Sequence, residues 1–138
     1  LEPRRLIAEM RRLAPTWLQG CHLRECWFEP TFHKHAGQLC AGVQIHVETG
    51  YDHAAFRPWR LQALAFKALR KLRPDYPLWR DFPYEYEHER LAIDLINGGE
   101  SLRKWVDDPA ALPGDLGALA RTDEAAWLER RESLLLYR

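Results

Sequence analysis

Between residues 39 and 48 the side chains alternate without a break. Leu39, Ala41, Val43, Ile45 and Val47 fall on one side, and Cys40, Gly42, Gln44, His46 and Glu48 on the other. A period of two marks a half-buried β-strand, because successive Cβ atoms point to opposite faces. The apolar set belongs in a core, and the small and polar set faces a place that tolerates or needs such groups. Residues 21–28 read as a partner strand. The connection between them, residues 29–38, is longer than the roughly 2–5 residues of an ordinary hairpin.

Helical spacing surrounds this pair. Leu6, Ile7, Met10, Leu13 and Ala14 recur on one face over residues 3–14, with Pro3 suited to a first turn and Pro15 ending the pattern. A second helix spans 58–73 and buries Leu61, Leu64, Ala65, Ala68, Leu69 and Leu72. Pro58 starts it, Arg70, Lys71 and Arg73 suit its negative end, and Pro74 stops it. Residues 82–90 alternate again, Phe82, Tyr84, Tyr86 and His88 against Glu85, Glu87 and Glu89, and read as a third strand with a buried aromatic face and a wet acidic one. Asn97-Gly98-Gly99 is a turn, a short helix follows near 100–106, and 107–117 reads as a loop. A last helix starts at Thr122 as N-cap, with Asp123 and Glu124 in its first turn. Few strands and segregated helices indicate an α+β fold, a single domain with a small, mostly antiparallel sheet packed with helices.

Composition narrows the partners. The chain of 138 residues suits one core, and 46% hydrophobic with 29% charged residues is an ordinary globular balance. Lys plus Arg and Asp plus Glu both number 20. A nucleic-acid partner, which calls for a basic excess, is not expected. No apolar run approaches the roughly 20 residues of a membrane span. Three cysteines, Cys21, Cys26 and Cys40, do not form a disulfide framework. The chain begins at Leu1, so the lack of a leader pattern says nothing of its compartment.

Reactive side chains are densest between residues 21 and 46. A metal site there lacks any standard zinc spacing, and Cys21 and Cys26 would face opposite sides of a flat strand. A cysteine nucleophile, with Cys40 beside His33, His35 or His46, has no local signature. The residue types leave two readings of 29–38 open: a ligand-lining loop backed by Gln44 and His46, or a plain solvated loop. Among the acidic residues, Glu85, Glu87, Glu89 and Asp94 are candidates for paired glycosidase carboxylates, but a solvated strand face explains them more simply. The tryptophans, Trp17, Trp27, Trp59, Trp79, Trp105 and Trp127, suit a core or a domain interface. Trp127 and Leu128, with Leu134 to Tyr137, form an apolar end that docks on this core or covers a neighbouring domain.

One segment is specific enough to name a family. Pro30-Thr31-Phe32-His33-Lys34-His35-Ala36-Gly37, followed by Cys40-Ala41-Gly42-Val43-Gln44-Ile45-His46-Val47, resembles a signature of the NamZ-type exo-β-N-acetylmuramidases of bacteria. That signature runs P-T-F-x-K-H/Y-x-G and then C-x-G-V-Q-x-H-V. Phe56-Arg57-Pro58, Pro83-Tyr84-Glu85-Tyr86, Ile93-Asp94-Leu95-Ile96-Asn97-Gly98, Leu102-Arg103 and Leu134-Leu135-Leu136-Tyr137 resemble further family motifs in the same order. Glu48-Thr49-Gly50 departs from the family's frequent T-D-R.

The resemblance implies a two-domain glycosidase with a Rossmann-like N-terminal domain holding the catalytic carboxylates. Residues 1–138 then correspond to the α+β C-terminal domain that closes the substrate cleft, and on its own this piece carries no catalytic residue. The implied reaction is release of N-acetylmuramic acid from the non-reducing end of peptidoglycan fragments, in cell-wall recycling. The implied partners are muramyl sugars and the N-terminal domain, with no cofactor and no metal, and a periplasmic or extracellular setting is favoured. Thr31, His33, Lys34, His35, Gln44 and His46 are the expected substrate-binding residues. Lys34 is assigned to the lactyl carboxylate from its charge. Two other classes are a non-catalytic glycan-binding or protein-interaction module, and a small cysteine- or metal-dependent enzyme.

Overall fold

The computed structural model describes residues 2–47 and 51–137. The order is α1 (Pro3–Leu13), a 3-10 turn (Pro15–Leu18), β1 (His22–Phe28), β2 (Cys40–His46), α2 (Pro58–Leu72), α3 (Ala92–Asn97), α4 (Ser101–Asp107) and α5 (Pro113–Glu132). The two strands pair antiparallel as a two-stranded sheet. The fold is of the α+β class. Glu48, expected on the polar face of the second strand, lies outside the described residues with Thr49 and Gly50.

Helix α2 is the centre of the molecule because it buries two faces. One face carries Leu61, Leu64 and Ala68 against Ile7 and Met10 from α1, Ala14 just after it, and Leu23 from β1. Ala63 turns the other way, into a second cluster with Leu102, Trp105, Val106 and Leu116. Trp17 packs against both clusters, its ring centroid 6.3 Å from that of Trp105. Gly20 fixes the approach to β1. It has a φ of +78°, and a Cβ there would stand 2.6 Å from the Asp52 carbonyl oxygen, so only glycine fits.

A buried charge ties α2 to α4. Lys67 is 2% exposed. Its ammonium donates to the carbonyls of Trp105 at 2.7 Å and Asp108 at 2.6 Å, with Val106 at 3.4 Å, and lies 4.9 Å from the Trp105 ring centroid. These carbonyls end α4, where the helix dipole favours a cation. Burial pushes the Lys67 pKa down, and Asp108 acts against that shift.

Three expectations are corrected. No strand forms over 82–90. Tyr84 and Glu87 exchange backbone hydrogen bonds at 3.1 Å across a tight turn, with Glu85 at a φ of +54°. The Glu87 carboxylate accepts from the His88 and Glu89 amides at 3.1 and 2.9 Å and from Arg90 at 2.7 Å, which captures donors a strand would need for its ladder. The aromatic face is not buried either: Phe82 is 44% and Tyr86 97% exposed.

The loop expected over 107–117 ends early, since α5 begins at Pro113. Pro113 occupies the first turn, and the Asp115 carboxylate accepts from the Leu112 amide at 2.8 Å, both helix-start signals. Thr122 therefore sits inside the helix, its hydroxyl donating to the Ala118 carbonyl at 3.3 Å. Of the two readings left open for the apolar end, docking on this core is not the one seen, since from Arg121 to Tyr137 every residue is exposed. Finally, the apolar face of β2 is only partly covered. Val43 packs on the core, whereas Leu39 is 72%, Ile45 44% and Val47 50% exposed. The ribbon is longer than the patch that α1 and α2 cover.

Two outcomes follow from these contacts. Lys67→Met should lower stability by about 2 kcal/mol through the carbonyls it leaves unpaired, read as a shifted urea midpoint; an unshifted midpoint would show that the ammonium anchors nothing. The Glu87 carboxyl is held down to about 2 by its amide and Arg90 partners, against 4.5 unfolded. Its folded pKa is the lower one, so its contribution is complete above 4.5 and is lost as pH falls toward 2. The His88 and Glu89 amide resonances of the folded chain should therefore titrate with a midpoint at about 2 and stay in place above 4.5.

Candidate functional site: the open face of the ribbon and its loop

Strand pairing decides which side chains share a face. His22 opposes His46, Arg24 opposes Gln44, Cys26 opposes Gly42 and Phe28 opposes Cys40. These eight residues line one side of the ribbon. The other side carries Leu23 and Val43 toward the helices. Arg24 holds Gln44 in place, donating from Nε at 2.9 Å and from Nη2 at 2.7 Å to the same Oε1. The Gln44 carbonyl is thereby committed, and its amide group remains as a donor on an exposed face.

The loop leaves the ribbon at the Phe28 and Cys40 end and is closed on itself. The Gly37 amide donates to the Pro30 carbonyl at 3.0 Å, Ala36 to His33 at 3.4 Å and Gln38 to His35 at 3.0 Å. His33 and His35 both adopt left-handed backbone, at φ +63° and +61°. Such angles are uncommon outside glycine, although histidine tolerates them better than most residues. The loop's backbone bonds fix them, and the His35 ring nitrogen Nδ1 lies 3.4 Å from Gln38 Oε1. Thr31, His33, Lys34 and His35 are all exposed, with Phe32 edge-on to the His33 ring at a centroid distance of 6.4 Å.

The six expected binding residues thus fall in three places. Thr31, His33, Lys34 and His35 share the loop. Gln44 sits midway along the open face. His46 closes the far end beside His22, about 20 Å from Cys40 at the usual rise of a strand. Among the described residues, the loop group and His46 stand at opposite ends of the ribbon. Arg24 was missed because the faces of the first strand were not assigned; register alone brings it to Gln44.

The remaining reactive groups have structural surroundings. The three cysteines are free thiols, and burial raises the Cys21 pKa, opposite to the shift that activates a thiol. Among the described residues no three His, Cys, Asp or Glu side chains converge as metal ligands. Glu87 is engaged as described above. Asp94 is 6% exposed and receives Arg103 on both oxygens, at 2.9 Å on Oδ1 and 2.7 Å on Oδ2. Each carboxylate serves to hold a turn or a helix in place.

Compared with known families, residues 1–137 match the profile described as exo-beta-N-acetylmuramidase NamZ, C-terminal. The crystal structure of a DUF1343 family protein from Bacteroides fragilis NCTC 9343 is similar over 100% of this chain, with a TM-score of 0.58 and 18% sequence identity. The chain spans 33% of the length of that protein. No curated protein matches it.

The geometry predicts that Arg24→Ala releases Gln44. The side-chain amide signals of Gln44 should then shift and broaden while the methyl signals of Leu23, on the opposite face, stay in place. Unmoved Gln44 signals would show that the strand, and not the guanidinium, orients it.

Proposed function

Because the chain belongs to the NamZ C-terminal family, we propose that it forms one wall of the substrate cleft in a glycosidase. The proposed reaction of the whole protein is hydrolytic release of N-acetylmuramic acid from the non-reducing end of peptidoglycan fragments, outside the cytoplasm, in cell-wall turnover. The catalytic carboxylates would come from an N-terminal domain. Glycosidases of the ordinary kind need two carboxyl groups flanking the scissile bond. In this chain Glu87 and Asp94 are already bound to arginines.

The observation that carries the reading is the ribbon with its loop. An open face presents the Gln44 amide, and a rigid loop presents Thr31, His33, Lys34 and His35 at one end. Together they offer hydrogen-bond donors and one cation along a length greater than a single sugar ring. Lys34 would pair with the lactyl carboxylate of a terminal muramyl unit, and Gln44 and His46 would meet the following units.

A domain-docking role is favoured by α5. Its first turns bury Leu116 and Ala120, and the rest stands clear with Trp127 56% and Leu128 52% exposed, as is Leu136 beyond its end at 89%. In a protein about three times as long, the N-terminal domain is the occupant we assign to this surface. The same surface is what a non-catalytic interaction module would use. Among the described residues no helix is long and apolar enough to cross a membrane.

Titration of the chain with a MurNAc–GlcNAc disaccharide should shift the amides of residues 31–35 together with the Gln44 and His46 side chains. Lys34→Ala should weaken that binding about tenfold, the cost of one charge-assisted hydrogen bond. Equal affinity in the variant would remove the role given to Lys34. A ligand-independent spectrum would leave the interaction-module reading in its place.

A further inference from the structure

The inward side of the ribbon holds a second concavity. At the loop end Trp27 opposes Ala41, and Leu39 lies just beyond. The start of α1 brings Glu2 and Arg5 to this corner, and the end of α2 brings Leu72 and Arg73. The seven residues line a cleft of about 560 Å³. That size lies within the roughly 300–1,000 Å³ of small-molecule sites.

Its chemistry is specific in two respects. Trp27 is 59% exposed, so an indole face is available as a platform. The electron-rich face of an indole attracts the weakly positive C–H bonds on one side of a pyranose ring. Two guanidiniums accompany it. Arg5 and Arg73 are exposed, and their side chains make no hydrogen bond or ion pair among the described residues, unlike Arg4, Arg70 and Arg103. Glu2 offsets one of the two charges, leaving a cationic cleft. Guanidinium favours carboxylate, which it can bind through two parallel N–H donors.

We infer that this cleft is a second sugar subsite, on the face of the ribbon opposite Gln44, selective for a pyranose that carries a carboxylate. Trp27 forms the stacking platform, Leu39, Ala41 and Leu72 form the apolar floor, and Arg5 and Arg73 bind the anion. The muramyl unit as its natural occupant rests on the glycan reading above; the preference for an acidic sugar does not.

The test is an NMR titration of the chain read at the Trp27 indole N–H, identified by its loss in Trp27→Phe. N-acetylmuramic acid should move that signal saturably. N-acetylglucosamine, which lacks the carboxylate, should bind about tenfold more weakly or worse. The double variant Arg5→Gln with Arg73→Gln should lose the same factor, with an unchanged thermal midpoint showing that it is folded. Arg73→Gln alone should lose part of it. D-glucuronic acid moving the signal when N-acetylmuramic acid does not would support the acidic subsite and remove the muramyl occupant. Equal binding of the neutral sugar, or full affinity in the double variant, would overturn the carboxylate assignment. A Trp27 signal unmoved by both acids would overturn the subsite, whatever happens at Gln44. Movement at Trp27 with none at Gln44 or residues 31–35 would support this subsite while overturning the outer one.

Discussion

The Lys67 ammonium is the contact on which the arrangement of helices depends. A charged group almost free of solvent is costly unless its donors are satisfied, and here three main-chain carbonyls at the end of α4 satisfy them. The consequence is positional. Helix α4 must end where Lys67 can reach it, which brings the Trp105 ring beside the ammonium and against Trp17. Trp17 in turn joins the second cluster to the one beneath the ribbon. The sheet has only two strands and cannot supply a core by itself. It is held by a helical frame whose two halves meet at α2, where Lys67 is the buried polar contact and Arg70 pairs with Asp107 nearer the surface.

That frame explains why the ribbon is so exposed. Helices α1 and α2 cover Leu23 and the middle of β2 and leave Leu39 at the loop end, and Ile45 and Val47 at the other, exposed. The outward face has no covering element among the described residues. A single domain of this length with so much apolar strand and helix surface in water is built for company. The proposed glycan and N-terminal domain are two kinds of company, and they occupy different surfaces: the ribbon with its loop for one, the free part of α5 for the other.

Much of the frame was legible in the sequence, and the failures share a cause. Helices α1 and α2 declare themselves twice, by apolar spacing and by the prolines at each end, and the structure places them within a residue of the reading. The strand β2 declares itself by alternation, and β1 reads as its partner without its faces being assigned. Alternation misled at 82–90 because period two is necessary for a strand but not sufficient. A strand also needs a partner for its amides, and Glu87 supplies one locally. Helix α3 and the start of α5 were missed because Gly and Pro near Asn97 and Pro113 read as breaks, whereas here they close one helix and open another. That the apolar end stands clear of this core needed the length of α5, which no local pattern gave. For the site, local sequence nominated the loop residues and Gln44, since they form one motif. The Arg24–Gln44 contact needed strand register. The Trp27 cleft needed three elements far apart in the chain, which no local pattern reveals.

The left-handed turns at His33 and His35 carry one more implication. A loop of this length ordinarily samples many shapes and gives up that freedom when something settles on it. Here the backbone gave it up on folding, against the hydrogen bonds that close residues 30–38. Side chains on such a loop present themselves at fixed spacing before any encounter. In the proposed cleft their contacts would add to affinity without a separate cost of ordering, and the loop would discriminate by shape as a rigid wall does.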